Sequence, residues 1–387
     1  MRILILNPIL YTAESNAIPT VSSIKDTMIY NLCLGFKQLG HDITLAAAME
    51  YQPCKKEEYD FKILFFKSDL KRIFPPSVLP FSRDLWKHLK QNSQQYDLII
   101  SSEVFSFQSL FASLLYPRKT IVWHELALHP RKLHKLPSKI WYNCIAPLFM
   151  RKILVVPRSE AAYDFIKRYH KKTTTECIEH GVNIEKFAVS AEKKDFFIVI
   201  SQLIERKNIS SIITKFAALI KDKQYKDFKL YVIGQGPLEE QLKRQSIISD
   251  TQNNIIFTGF LPHVQMSEYT AHAKALLINT YQDNNMVSIP ETLSCGTPVI
   301  SNTVPTNSYI INSHQLGIAK DNWDEHDLKE IIANNSFYVK NCIAYRDNLA
   351  NSHIAQTFLD IFQDKKIAEN IKYNSSLNFP GPKRPWQ

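Results

Sequence analysis

Short, nearly unbroken apolar runs recur along this chain, and stretches with helical spacing separate them. In the first half the pattern predicts strands at Ile3–Leu6, Ile43–Ala46, Lys62–Phe66, Leu98–Ser101, Thr120–Trp123, Ile153–Val156 and Glu176–Ile178. Helical periods fall between them, as over Ser23–Leu39 and Ala161–Tyr169. The second half repeats the rhythm at Phe196–Ile200, Lys229–Ile233, Ile255–Thr258, Ala275–Asn279, Pro298–Ser301 and Leu316–Ala319. Strands that are apolar on both faces and alternate with helices predict an α/β protein, with doubly wound parallel sheets covered by helices. Periodicity lapses over Phe187–Asp195, so a boundary is placed near residue 190. The reading is a first Rossmann-like domain over residues 1–190, a second over 191–350, a closing helix over 351–373 and an extended tail over 374–387.

Length agrees with that division. The 387 residues exceed one ordinary domain and suit two. No apolar run reaches the roughly 20 residues that span a bilayer. The best candidate, Cys144–Pro157, is interrupted by Arg151 and Lys152. The first apolar segment is short, lacks a cleavage pattern and reads as a buried strand. Six cysteines without a CxxC pair point to reduced thiols in a cytoplasmic protein. His129 and His134 lack further ligand-like partners, so no metal is expected. The net charge of +10 is lopsided: residues 1–190 hold 26 Lys and Arg against 17 Asp and Glu, and the remainder hold 21 against 20. The first half is expected to attract an anion or an anionic surface, though a solvated basic face would read the same way. No nucleic-acid module accompanies the charge, and none is expected as a partner.

With only nine glycines, each asks for a backbone reason. Gly234 and Gly236 follow the strand ending at Ile233, where backbone meets ligand in such folds; an ordinary tight turn explains them equally well. The richest stretch is Tyr281–Ile300. It predicts a strand end, a polar loop carrying Asp283, and a helix from about Val287 with Glu291 in its first turns. Both carboxylates then face the carboxyl edge of the sheet. The N–H groups of Met286, Val287 and Ser288 would suit a phosphate, and carboxylates accept hydrogen bonds from sugar hydroxyls. Either acid alone reads as a complement to the helix dipole.

Here the sequence resembles the family 4 glycosyltransferases of the GT-B fold. Their E-x7-E and A-x-G-x-P-V pattern is matched by Asp283, Glu291 and Ser294-Cys-Gly-Thr-Pro-Val299. Lys37–Leu45, Glu179–Phe187, Val199–Asn208, Gly234–Pro237 and Phe257–Leu261 are similar to further family segments, in the right order. The resemblance implies that Lys207 neutralises a donor diphosphate, that Glu291 binds ribose hydroxyls and that Asp283 meets the transferred sugar. It implies that His124 lies near the sugar, that Asn285 belongs to the donor loop, and that the closing helix crosses back onto the first domain. Four departures stand out. Gln202 replaces a phosphate-binding arginine, which shifts charge compensation to Lys207 and Arg206. Asp283 is shorter than glutamate. Asn284-Asn285-Met286 replaces a Phe-Gly stretch. The loop Pro8–Ser22 has no glycine.

The resulting expectation is a retaining hexosyltransferase with a nucleotide-sugar donor, UDP-linked for preference, and a hydroxyl acceptor. The acceptor is expected to be lipid-linked or a surface-polysaccharide intermediate, handled beside an anionic membrane by a peripheral protein. No Asp-x-Asp motif occurs, so neither metal nor other cofactor is expected. A nucleotide-sugar epimerase or hydrolase on the same fold, and a non-catalytic basic binding protein, remain open on sequence alone.

Overall fold

The structure is a computed structural model that describes residues 1–11, 18–129, 135–283 and 285–377. It contains two six-stranded sheets with all-parallel pairing. The first comprises β1 (Arg2–Leu6), β2 (Asp42–Ala48), β3 (Lys62–Phe66), β4 (Leu98–Ser102), β5 (Thr120–His124) and β6 (Leu154–Pro157). The second comprises β7 (Phe196–Ile200), β8 (Lys229–Ile233), β9 (Ile255–Gly259), β10 (Ala275–Leu277), β11 (Val299–Ser301) and β12 (Gly317–Ala319). The orders are β3-β2-β1-β4-β5-β6 and β9-β8-β7-β10-β11-β12, which are the same doubly wound order twice. Each sheet therefore has a switch point, between β1 and β4 and between β7 and β10, where the following loops part and leave a crevice.

Local sequence sets the helix starts. Thr27 accepts a hydrogen bond from the Tyr30 N–H and starts the helix Met28–Gln38, later than the periodicity from Ser23 suggested. Ser159 does the same for Glu160–Ile166 through the Ala162 N–H. The expected strand Glu176–Ile178 does not form. The Ile178 N–H reaches the Pro157 carbonyl, while the Ile178 carbonyl accepts the Trp123 indole N–H at 2.7 Å. Those bonds hold the segment as an irregular crossing to the second domain.

The closing helix, Asn351–Leu377, returns to the first domain. Residues 374–377, read from sequence as the start of a tail, continue this helix; residues 378–387 lie outside the described residues. Ile354, Ala355, Phe358, Ile361 and Phe362 form its buried stripe within the core that also holds Ile3, Phe36 and Trp123. Phe358 packs edge-on to Trp123 at 5.3 Å between ring centroids and lies 6.2 Å from Phe36. A Cβ on Gly35 would stand 2.3 Å from the Asn351 carbonyl oxygen, so only glycine lets the two helices meet this closely. The two chain crossings are themselves paired: the Val182 N–H donates to the Leu349 carbonyl and the Asn351 N–H to that of Val182.

Truncating Phe358 to alanine leaves a cavity where the closing helix meets the first domain. Phe358→Ala is expected to cost about 3–5 kcal/mol, read as a lower urea midpoint; a midpoint equal to wild type would mean that the helix docks without this ring.

Candidate functional site

At the second sheet's switch point the chain leaves β7 through Ser201–Lys207 and leaves β10 through Asn279–Asp283. The loops are locked together: the Tyr281 N–H and Thr280 Oγ1 both donate to the Arg206 carbonyl, at 2.8 Å each. This brings Asp283 against two cations. Lys207 Nζ forms a close ion pair with its Oδ2, and Arg206 Nη1 lies 3.2 Å from the same oxygen. Lys207 and Asp283 are largely buried, so this attraction is poorly screened. The sequence separated these side chains by expected role, diphosphate for Lys207 and sugar for Asp283. In the structure they are one cluster, in which Asp283 holds both cations.

Glu291 sits apart from that cluster, within the seven-residue helix Ser288–Ser294. Burial pushes its carboxyl up to about 7, the Asp26 charge across the domain boundary adds to this, and Lys186 opposes it. Among the described residues its carboxyl makes no ion pair. The expected trio of N–H groups ahead of this helix is not intact. Met286 donates its N–H to Asn307 Oδ1 at 3.0 Å, and its carbonyl accepts from Asn307 Nδ2 at 3.0 Å. Ser288 Oγ is buried without a partner among the described residues, and Val287 is exposed at the cleft. Asn285 bridges the domains instead: its Nδ2 donates to the Arg158 carbonyl at 3.4 Å, while its Oδ1 accepts from Thr306 Oγ1 at 2.6 Å. Asn284 lies outside the described residues.

Gly234 and Gly236 have a packing reason. Gly234 has φ +138°, and a Cβ there would fall 1.8 Å from the Ser201 carbonyl oxygen; one on Gly236 would fall 2.4 Å from that of Leu203. The turn after β8 presses on the backbone leaving β7, where the Leu203 N–H donates to the Gln235 carbonyl at 2.9 Å. The close approach is chain to chain, and it holds the start of the Lys207 loop.

Facing this, a cleft of about 600 Å³ is lined by the ends of β1, β4, β5 and β6 together with Asn285 and Val287. His124 is fully buried behind it. Its Nδ1 lies 2.9 Å from Glu103 Oε2, and its Nε2 has no partner among the described residues. Glu103, at φ +64°, also accepts the Glu125 N–H at 2.8 Å and the Leu126 N–H at 3.4 Å. Arg158 is buried, stacks 3.6 Å above the Trp123 ring centre and pairs with Glu125 at 2.9 Å. Burial opposes ionisation of Glu125, but Arg158 and His180 outweigh it and bring the carboxyl down to about 2. Sequence reasoning missed Glu103, Glu125, Arg158 and His180 as site residues. The available signal was position: Glu103, Glu125 and Arg158 each follow directly on a buried strand, where the first sheet opens. Among the described residues, no group of three or more His, Cys, Asp or Glu converges as a metal site.

Two doubly wound domains facing each other across a cleft, joined by a back-crossing helix, define a GT-B architecture. A model of "Glycosyltransferase Family 4" matches residues 26–186, and one of "Glycosyl transferases group 1" matches residues 183–335. The chain belongs to the family 4 glycosyltransferases. HepE of Anabaena, solved in complex with UDP, superposes with a TM-score of 0.65 at 13% identity, over 94% of this chain and 100% of that one. A glycosyltransferase from Rickettsia africae superposes with a TM-score of 0.65 at 15% identity, over 94% of this chain and 98% of that one. Among curated relatives, the alpha-monoglucosyldiacylglycerol synthase of Streptococcus pneumoniae is 25% identical over 190 residues, 45% of this chain and 42% of that protein. The matches span less than half the length of the curated relatives.

Lys207→Ala removes a charge-assisted contact that a diphosphate would make, worth about 1.5–3 kcal/mol. Calorimetry should show UDP binding weakened by roughly tenfold or more, whereas Asp283→Asn, which releases Lys207, should not weaken it. An unchanged affinity in Lys207→Ala takes that residue out of the site. A second expectation follows from Glu291. Its pKa is raised from 4.5 to about 7, so the proton favours the native state, and stability relative to Glu291→Gln falls as pH rises through that interval. Ribose hydroxyls need the ionised acceptor. Uridine, which carries no titrating phosphate, should therefore bind more tightly as pH rises through about 7, and Glu291→Gln should flatten that dependence. A wild-type affinity flat across the interval contradicts the ribose role.

Proposed function

We propose that this chain transfers a hexose, with retention of configuration, from a UDP-linked donor to the hydroxyl of a lipid-linked acceptor. The carrying observation is the pair of cations, Lys207 and Arg206, held at the carboxyl end of β7 at the second sheet's switch point. In the resting state Asp283 neutralises them. A donor diphosphate takes over that neutralisation, leaving Asp283 to accept hydrogen bonds from the sugar, and Glu291 holds the ribose. The bond from the sugar carbon to the diphosphate oxygen breaks while the acceptor oxygen forms the new bond on the same face. The acceptor proton passes to the leaving phosphate oxygen. Positioning, and cations that stabilise the departing charge, supply the rate without a metal ion.

The membrane side of the proposal rests on one helix. It starts at Leu136 and widens into π geometry over Trp141–Met150, which contains Pro147. Trp141, Tyr142, Ala146 and Met150 face the core. Leu136 (64% exposed), Ile140, Leu148 (67%) and Phe149 face outward, next to the exposed Lys135, Lys139, Arg151 and Lys152. The segment thus serves both as core and as a basic apolar surface. Arg131, Lys132 and Leu133, part of the same sequence pattern, lie outside the described residues. Such a face suits an anionic bilayer surface, where each cation contributes about 1 kcal/mol. No described helix is long and apolar enough to cross a membrane. The likeness to a diacylglycerol-glycosylating protein supports a lipid acceptor.

One experiment tests donor and membrane together. Purified protein, UDP-linked hexoses and EDTA are mixed with anionic or neutral vesicles, and the mixtures are assayed for donor turnover and floated. Turnover in EDTA, and flotation with anionic vesicles that salt and a Leu148→Glu, Phe149→Glu variant both abolish, are the expected results. Equal flotation on both vesicle types defeats the membrane reading, and failure to consume any donor in the panel defeats the UDP-hexose reading.

A further inference from the structure

The first half of the chain is strongly basic, yet its cleft is not. Among the described residues lining it there is one cation, Arg158, against the three carboxylates of Asp26, Glu103 and Glu125, of which Asp26 is paired with Lys186 from outside the lining. Arg158 is already spent. Its guanidinium stacks on Trp123 and pairs with Glu125, and its side chain is 4% exposed. An anion that drew Arg158 away would leave the half-buried Glu125 without its main counter-charge, a costly exchange. Glu103 is different in kind. Its Oε2 accepts from the Leu126 N–H and lies 2.9 Å from His124 Nδ1, and its Oε1 accepts from the Glu125 N–H. A carboxylate offers about four acceptor sites, so the described bonds leave room for one more donor, which an alcohol can supply. The lysines and arginines that make the first half basic, such as Lys139, Arg151 and Lys152, lie on the outer face and do not line the cleft.

The rest of the lining mixes polar groups, among them Asn7, Ser102 and Gln108, with an apolar side. Leu10, Val21, Met28, Val78, Leu79 and Phe105 form a wall beside the carboxylates. Val21, Met28 and Val78 are half-exposed, open to contact, whereas Leu10, Leu79 and Phe105 are anchored in the fold. Carboxylates that want O–H donors and a wall that wants hydrocarbon stand in one cavity.

Resting on the glycosyltransferase reading above, we infer that this cleft is the acceptor subsite and that it takes an uncharged, hydroxyl-bearing lipid, with Glu103 meeting the hydroxyl end and the Val21–Met28–Val78 wall meeting the apolar chain. Lipids with an anionic headgroup are rejected, because among the described residues the lining offers the Glu103 carboxylate to repel them and no uncommitted cation to receive them. The outer basic face and the cleft then select different lipids: a charged surface for docking and a neutral molecule for reaction.

The test uses the full chain in nonionic detergent, with calorimetric titrations of dioctanoylglycerol and of dioctanoylphosphatidylglycerol. The two carry the same tails and each has a free hydroxyl, but the second adds an anionic phosphate bearing a further glycerol. Dioctanoylglycerol is expected to bind at least tenfold more tightly. Val78→Lys should reverse the order, weakening the neutral lipid and strengthening the anionic one. UDP is titrated in the same samples and reports on the donor reading alone. If UDP binds and phosphatidylglycerol binds as well as dioctanoylglycerol, or neither lipid binds, the acceptor inference is overturned. If dioctanoylglycerol binds selectively while UDP does not, the acceptor inference stands and the donor reading fails.

Discussion

The contact between the Asn351 carbonyl and the Gly35 backbone sets the geometry on which the cleft depends. A helix that begins at the end of the second domain is pressed onto the first helix of the chain at a distance no side chain permits. From there its buried stripe runs through Phe358 to Phe362, and Lys365 Nζ reaches the carbonyls of Pro117 and Thr120. The second domain is thereby carried on the first domain's core. Trp123 joins this support to the site: one edge meets Phe358, its indole N–H holds the Ile178 carbonyl, and its face bears Arg158. Burial at the back of the first sheet and charge placement at its front share that ring.

The two acids of the Tyr281–Ile300 stretch show how environment divides labour among like groups. Asp283 is drawn into contact with Lys207 and Arg206 by the interlocked β7 and β10 loops. Glu291, eight positions later, sits where burial and the Asp26 charge disfavour its ionised form. One is a counter-ion to two cations and the other a carboxyl with no ion pair among the described residues. On the opposite wall, Glu125 is ionised by Arg158. Glu125 and Glu291 thus differ in state because of who stands beside them.

Much of this was legible in the sequence. Apolar runs gave ten of the twelve strands to within a residue, β2 two residues too short at its end and β10 two too long, because a buried parallel strand has an unmistakable composition. The spacing of Asp283 and Glu291 placed both at the carboxyl edge of the second sheet. What stayed hidden depends on contacts between distant segments. The strand expected at Glu176–Ile178 has the right residues but spends its polar groups on Pro157 and Trp123. Gly234 and Gly236 looked like ligand-facing glycines, and their reason is the backbone after β7. Met286 looked available to a phosphate, and Asn307, twenty-one residues on, takes its N–H. Glu103 carries no motif at all; its importance lies in three partners at the end of β5 and just beyond it.

The pairing of Val182 with Leu349 and Asn351 has a mechanical consequence. The chain passes between the domains twice, and the two passages are stitched side by side at one point. Such a stitch resists sliding and stretching but tolerates turning, so it acts as a pivot pin. Atoms near the pin travel little when the domains rock, and atoms at the far rim sweep the widest arc. The Lys186–Asp26 ion pair and the Asn285–Arg158 bond span the gap and act as latches on that arc. The width of the cleft is then governed by a single angle, so that a ligand engaging both walls is felt by the whole molecule as one rotation.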